Sequence, residues 1–243
     1  MNLILEALAL LPWSDWAAVA LFFAAWAGYA VWAKKRAEVR PSLLALTNRE
    51  RLRWMLQTAG RDNRVVDGVV VQNMSTSPSF FASTTILIIG GLLAVLSATE
   101  QASELVNEIP FAARTSVIVF DIKVVLLTAI FIYAFFRFTW SLRQYTFGAL
   151  LVAAAPDHRA WRSDAERDAF ASRAGRVMGL AAETFNDGLR AYYMAFAVVA
   201  WFFSAWAFMA ATAGVVWILY RREFHSEVLA VLAEEPPAPP PGR

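Results

Sequence analysis

The chain has 243 residues, 58% of them hydrophobic and 17% charged, with a formal net charge of +2. A water-soluble fold of this composition would carry an implausibly apolar surface, so lipid is the better solvent for it. With no cysteine present, disulfides, thiolate metal sites, iron–sulfur clusters and a cysteine nucleophile are excluded together.

About 20 apolar residues cross the hydrocarbon layer as a helix. In chain order, Trp13–Ala33, Phe80–Ala98, Val117–Phe138 and Tyr193–Tyr220 meet that length. They predict an all-α, integral membrane four-helix bundle with short amphipathic cytoplasmic helices. A single domain would cover residues 1–233, with a Pro-rich extended tail over 234–243. The start of the chain lacks a basic region and a small-residue cleavage site, which reads as a retained anchor and not a signal peptide. Trp13, Trp16, Trp32, Trp140, Trp217 and Tyr220 fall near span ends, where amphipathic rings favour the interface.

Placement of charge sets the expected direction. The connection over residues 34–79 carries Lys34, Lys35, Arg36, Arg40, Arg49, Arg51, Arg53, Arg61 and Arg64. That over 139–192 carries Arg143, Arg159, Arg162, Arg167, Arg173, Arg176 and Arg190. Between the second and third spans stands Arg114 against Glu100, Glu104 and Glu108. Positive charge stays inside, so both long connections are expected in the cytoplasm and both termini outside, in a bacterial inner (cytoplasmic) membrane. These arginines also suit the anionic headgroups of membrane lipids. Interleaved with acids and lacking a recognition fold, they do not describe a nucleic-acid site.

Within the first connection, Thr47-Asn48-Arg49-Glu50 has capping-box spacing and Gly60 supplies a stop, predicting a helix over 48–59. The second has Ser163-Asp164-Ala165-Glu166, followed by Phe170, Ala174, Val177, Met178, Ala181 and Phe185 on one helical face that leads toward the fourth span. Near the end, "FHSEVLAVL" predicts a short amphipathic turn at the outer face.

The second span opens with a hydroxyl-rich run, "NMSTSPSFFASTTILIIGGLLAVL". Ser77-Pro78 fits an N-cap followed by proline at the first helical position. Either the hydroxyls serve the helix itself, or the helix start faces a vestibule and its free N–H groups suit an anion or polar solute. Small residues at Ala20, Ala24 and Gly28, and at Gly90, Ala94 and Ala98, favour close helix packing within the bundle or between copies.

Arg64, Asp67, Asn73, Ser77, Arg137, Arg143, Gln144, Asn186 and Arg190 are expected to share one cytoplasmic layer, with Thr84 further along the second span. Arginine forks with neutral amides suit phosphate or carboxylate; a network of Arg–Asp pairs and helix caps is the structural alternative. Asp121 and Lys123 sit about one turn inside the outer end of the third span. Each is a candidate for a solute or proton pathway, or a residue that reaches back to the interface. Glu183 is expected to face solvent or pair with arginine.

Enzymatic motifs are sparse. His158 and His225 are the only histidines, predicted on opposite sides of the membrane, and no metal-ligand spacing, phosphate loop or nucleophile elbow is present. The sequence points to no catalytic residue, metal or cofactor. It favours an oligomeric channel or transporter for a small, anionic solute, with a non-catalytic scaffold or accessory subunit of a larger membrane complex as the alternative. A carboxylate-based or lipid-modifying enzyme is the lesser reading.

The strings "RDNRVVDGVVVQNMSTSPSFFASTTILIIGGL", "FTWSLRQYTFGALLVAAAP" and "NDGLRAYYMAFAVVAWF" resemble the domain-of-unknown-function 599 family. The resemblance covers approximately residues 15–225. It implies a multi-span membrane protein and brings no reaction, ligand or site residue with it.

Overall fold

The computed structural model describes residues 11–37, 39–108 and 116–234. Among these, every regular element is a helix: α1 Trp13–Ala37, α2 Leu43–Ala59, α3 Val65–Ser97, α4 Thr99–Glu108, α5 Val117–Ala153, α6 Asp164–Ala200, α7 Ala205–Phe224 and α8 Glu227–Ala233. Of these, α1, α3 and α5 are long and apolar enough to cross a membrane. The Pro-rich end and Arg114 lie outside the described residues.

Serine begins most of the helices. Ser42, Ser116, Ser163, Ser204 and Ser226 each stand in extended backbone and accept from the N–H three residues on, satisfying a donor the helix leaves free. Ser42 therefore starts α2 five residues before the expected position, and Thr47 instead bonds back to the Leu43 and Leu44 carbonyls. Gly60 ends α2 as expected.

The segment Tyr193–Tyr220, expected as one crossing, is a helical hairpin. α6 stops at Trp201, whose N–H donates to the Val198 carbonyl. Phe202 and Phe203 follow with the same three-residue pattern, and Ser204 caps α7. Composition stays apolar through the turn, so hydropathy alone cannot place it. α7 then returns beside α6: Arg222 donates to the Tyr193 hydroxyl, and Glu223 Oε1 accepts from the Leu44 N–H at 3.2 Å. The described ends therefore lie at opposite ends of the bundle, Leu11 in the same core as Trp201 and Leu232 beside Trp54 of α2. The termini themselves, expected on one side, lie outside the described residues. The return of α7 puts α8 against α2, where a turn at the outer face was expected, and His225 at the same end as His158.

α3 corrects a second expectation. It starts at Val65, and Ser77-Pro78 lies inside it with Pro78 buried. Proline removes one N–H from the ladder. Hydroxyls nearby serve the helix itself: Ser75 donates to the Val71 carbonyl, Thr76 to Gln72 and Thr85 to Phe81. The run at the start of this segment is thus helix interior, with no free helix N-terminus at Ser77.

Two cores stack along the bundle. The first gathers Phe22, Phe138, Met194, Trp201 and Phe208 from α1, α5, α6 and α7. Lipid is as apolar as these side chains, so packing and shape hold this layer. The second gathers Met55, Val71, Tyr145, Ala174 and Met178 from α2, α3, α5 and α6. α5 and α6 have 37 residues each, about 55 Å at 1.5 Å per residue. That exceeds the roughly 30 Å hydrocarbon layer, so the second core stands at its edge or beyond. There, burial of Met55 and Met178 is driven by water, at about 1.5–3 kcal/mol for each full side chain.

Close helix approach uses glycines other than those expected. A Cβ on Gly188 would stand 2.5 Å from the Phe138 ring, and one on Gly175 3.0 Å from the Leu52 Cα. Gly175 and Gly179, four apart on α6, seat α2. Gly28 and Gly90 have nothing within 4 Å of such a carbon, and with Ala94 they are exposed. Among the described residues, neither glycine seats a neighbouring helix.

Candidate functional site

One end of the bundle, called the inner end for the α2 helix folded into it, brings together α2, the end of α1, the middle of α6 and the end of α7 and carries two adjoining cavities. The smaller, about 240 Å³, is lined by Tyr29, Leu44, Thr47, Arg51, Asn186, Arg190, Tyr193, Arg222 and Glu223, among others. The larger, about 440 Å³, shares Leu44, Arg190 and Glu223 and adds Lys34, Asn48, Glu183 and Asp187.

Each charged group is placed by a distinct element. Arg51 projects from α2, where its Nη1 donates to Thr47 Oγ1 at 3.1 Å and Asn48 Oδ1 at 2.7 Å, while its buried Nε has no partner. No carboxylate among the described residues reaches ion-pair distance of Arg51. Burial pushes its guanidinium below the ordinary range, opposed by the nearby Tyr145 and Glu183. Arg190 comes from α6; its Nη1 donates to Asp187 Oδ1 at 3.3 Å, and its guanidinium lies 5.9 Å from the centre of the Tyr29 ring. Arg222 comes from α7 and lies over the Tyr193 ring.

Among the described residues, Glu223 is the only carboxylate lining the smaller cavity, and the first turn of α2 already donates to it. Three guanidiniums and a helix N-terminus therefore converge on a space with one carboxylate. Their field favours a small anion, and arginine forks match carboxylate or phosphate oxygens.

The expected polar layer is dispersed. Arg137 and Arg190 meet through Asp187, and Asn186 joins Arg190 in the smaller cavity. Arg64 is a staple: it donates to the Thr58 carbonyl at 3.1 Å, Ala155 at 2.9 Å and Pro156 at 2.6 Å. Asp67 is fully buried, accepting from Trp54 Nε1, Thr58 Oγ1 and Arg61 Nη1. Asn73 and Ser77 are exposed on α3, and Thr84 is half-buried. Arg143 is exposed, against the Phe147 ring on the open face of α5, and Gln144 keeps a buried, unpartnered Oε1. Glu183 accepts from Asn48 Nδ2 at 3.0 Å.

At the other end, Asp121 accepts from Thr99 Oγ1 at 2.9 Å. Lys123 is buried and donates to the Trp201 carbonyl at 3.0 Å, against the Trp201 and Phe202 rings. It satisfies a carbonyl that the hairpin turn frees from the helix ladder. Asp15 receives the Trp201 indole N–H, so α1, α5 and the hairpin tip are joined there.

Arg51, Tyr193, Arg222 and Glu223 were not among the expected site residues. Arg222 and Glu223 directly follow an apolar run, a visible signal, but their return to α2 depends on the unforeseen hairpin.

Helical throughout its described residues, with three helices long and apolar enough to cross a membrane and a basic cavity at one end, the chain has the makeup of a multi-helix membrane protein. The profile of the family described as "Protein of unknown function, DUF599" matches residues 17–228, and the chain belongs to that family. No curated protein and no solved structure matches it.

Proposed function

We propose that this protein binds a small carboxylate or phosphate anion at its inner end and acts, without catalysis, in moving or sensing it at the membrane. The observation that carries this reading is the convergence of Arg51, Arg190 and Arg222 with the start of α2 on a cavity of about 240 Å³ holding a single carboxylate. A half-buried guanidinium whose shielded Nε has no partner, as at Arg51, is better satisfied when an anion joins it.

The basic connections support an orientation with this cavity on the cytoplasmic side. Because the α6–α7 hairpin returns, that orientation puts the start of α1 outside and α8 inside. A wet path through Ser77, Thr84 and Asp121 has no support within one protomer, since these residues line neither inner-end cavity.

The test is binding of inorganic phosphate, acetate and succinate to the purified protein in nanodiscs, followed by uptake into proteoliposomes. Saturable binding of one anion, weakened about tenfold or more by Arg222→Gln (on the order of 1.4 kcal/mol), is expected. Absence of saturable binding for all three would overturn the reading. Uptake separates a transporter from a sensor.

A scaffold or accessory subunit is the second reading, favoured by the open faces at Gly28, Gly90 and Ala94. Small residues on exposed faces of spanning helices let another helix backbone approach. Self-association and a different membrane partner are distinguished by the mass of the complex extracted from native membrane.

A further inference from the structure

At the inner end, away from the basic cavity, the α2–α3 connection meets the α5–α6 connection. His158 Nδ1 stands 3.4 Å from Asp62 Oδ1 and 3.4 Å from Asp157 Oδ1, and the three ligand atoms lie within 4.8 Å of one another. Nδ1 itself is shielded from solvent and has no hydrogen-bond partner. A ring nitrogen is thus held between two carboxylate oxygens without a hydrogen bond to either.

The spacing has a physical meaning. Ligand atoms about 2.0–2.2 Å from a tetrahedral Zn²⁺ stand about 3.3–3.5 Å apart. Both His158–Asp distances match the edge of such a tetrahedron. One imidazole and two carboxylates form a hard to borderline donor set suited to a divalent transition cation, with a position left for water. Asp62 is exposed, so the site opens to solvent.

The two connections are held in register independently of any ion. Arg64 clamps the Ala155 and Pro156 carbonyls, immediately before Asp157 and His158, and Trp161 Nε1 donates to the Ala59 carbonyl at 3.0 Å. Asp157 Oδ1 is oriented by the Arg159 N–H at 2.9 Å. Binding therefore orders little extra chain. One contact must change: Arg159 Nε donates to His158 Nε2 at 3.1 Å. With Nδ1 on a metal, Nε2 carries the proton, and the exposed Arg159 side chain turns into water.

We infer that Asp62, Asp157 and His158 form a binding site for a divalent transition cation of the Zn²⁺ class, which ties the α2–α3 connection to the α5–α6 connection. The site is separate from the anion cavity and does not depend on it.

The experiment is a titration of the full chain, carrying a tag without histidine, in nanodiscs with ZnCl₂ against a chromophoric chelator. One site per chain is expected. His158→Asn should weaken it by at least about 100-fold, while His225→Asn leaves it unchanged. Zn²⁺ should also slow proteolysis across residues 154–163 in the parent but not in His158→Asn. If His158→Asn does not fold, Asp62→Asn on the exposed connection carries the test, with a loss of about tenfold or more expected. No saturable Zn²⁺ binding below about millimolar concentration, or equal binding by the folded variant, would overturn the inference. Either result would leave the His158 ring between two carboxylates with no ion held there.

Discussion

Asp67→Ala is the sharpest test of how the inner end is held. The carboxylate is fully buried, and its Oδ1 receives Trp54 Nε1 at 2.7 Å, Thr58 Oγ1 at 2.9 Å and Arg61 Nη1 at 2.6 Å. Hydrogen bonds to a charged group contribute about 1.5–3 kcal/mol each. Arg61 is 43% exposed in its side chain and finds water when its partner is lost, so its share is small. The indole carries most of the loss and the Thr58 hydroxyl less, because its one proton also reaches the Trp54 carbonyl at 2.9 Å; together they sum to roughly 2–4 kcal/mol. Asp67→Asn keeps an acceptor but places a donor where Oδ2 is buried without a partner, and should lose about half as much. Unfolding in mixed micelles with rising SDS, followed by far-UV circular dichroism and tryptophan fluorescence, measures both variants. If Asp67→Ala lies within about 1 kcal/mol of the parent, the carboxylate is not the hub of the α2–α3 turn.

Further outcomes follow from packing and stapling. Gly188→Ala sets a methyl against the rigid Phe138 ring and should destabilise by about 1–3 kcal/mol, whereas Gly148→Ala meets the mobile end of Met178 and should lose less; thermal unfolding of the pair reads the difference. Arg64→Ala removes bonds to three carbonyls and should raise hydrogen exchange across residues 154–163 by at least about tenfold, with the spanning helices unchanged. Gly90→Leu, on an open face, should leave the unfolding midpoint of the protomer unchanged within about 0.5 kcal/mol. A shift of its mass in detergent from oligomer to monomer would assign that face to a partner helix.

Three spanning helices were legible because a long apolar run has few alternatives in lipid. The hairpin was not, because Trp201, Phe202 and Phe203 are as apolar as the helices they join. Ser204 was the available signal, a capping residue that hydropathy does not weigh. Ser77-Pro78 misled in the opposite sense, since proline after serine reads equally as a helix start or as a tolerated interior residue where the run is long. Arg190 and Asn186 stand four apart on one helix, so the sequence alone sets them side by side. Arg51 and Arg222 are separated by 171 positions, and only the return of α7 brings them together. The packing glycines were visible as Gly175-xxx-Gly179, but a spacing does not say which of several small-residue rows faces a neighbour.

The ammonium of Lys123 bears on the order in which the chain is built. Its carbonyl acceptor, on Trp201, lies 78 residues further along the chain. Until that residue is synthesised and positioned, α5 carries a polar amine inside its apolar stretch without that carbonyl, a state that lipid disfavours. The indole N–H of the same tryptophan reaches Asp15, near the beginning of the first helix. One late residue therefore completes polar groups on two earlier helices, and a ribosome stalled before the hairpin would leave both waiting. Polar pairing at this end of the bundle is therefore complete only once Trp201 is in place.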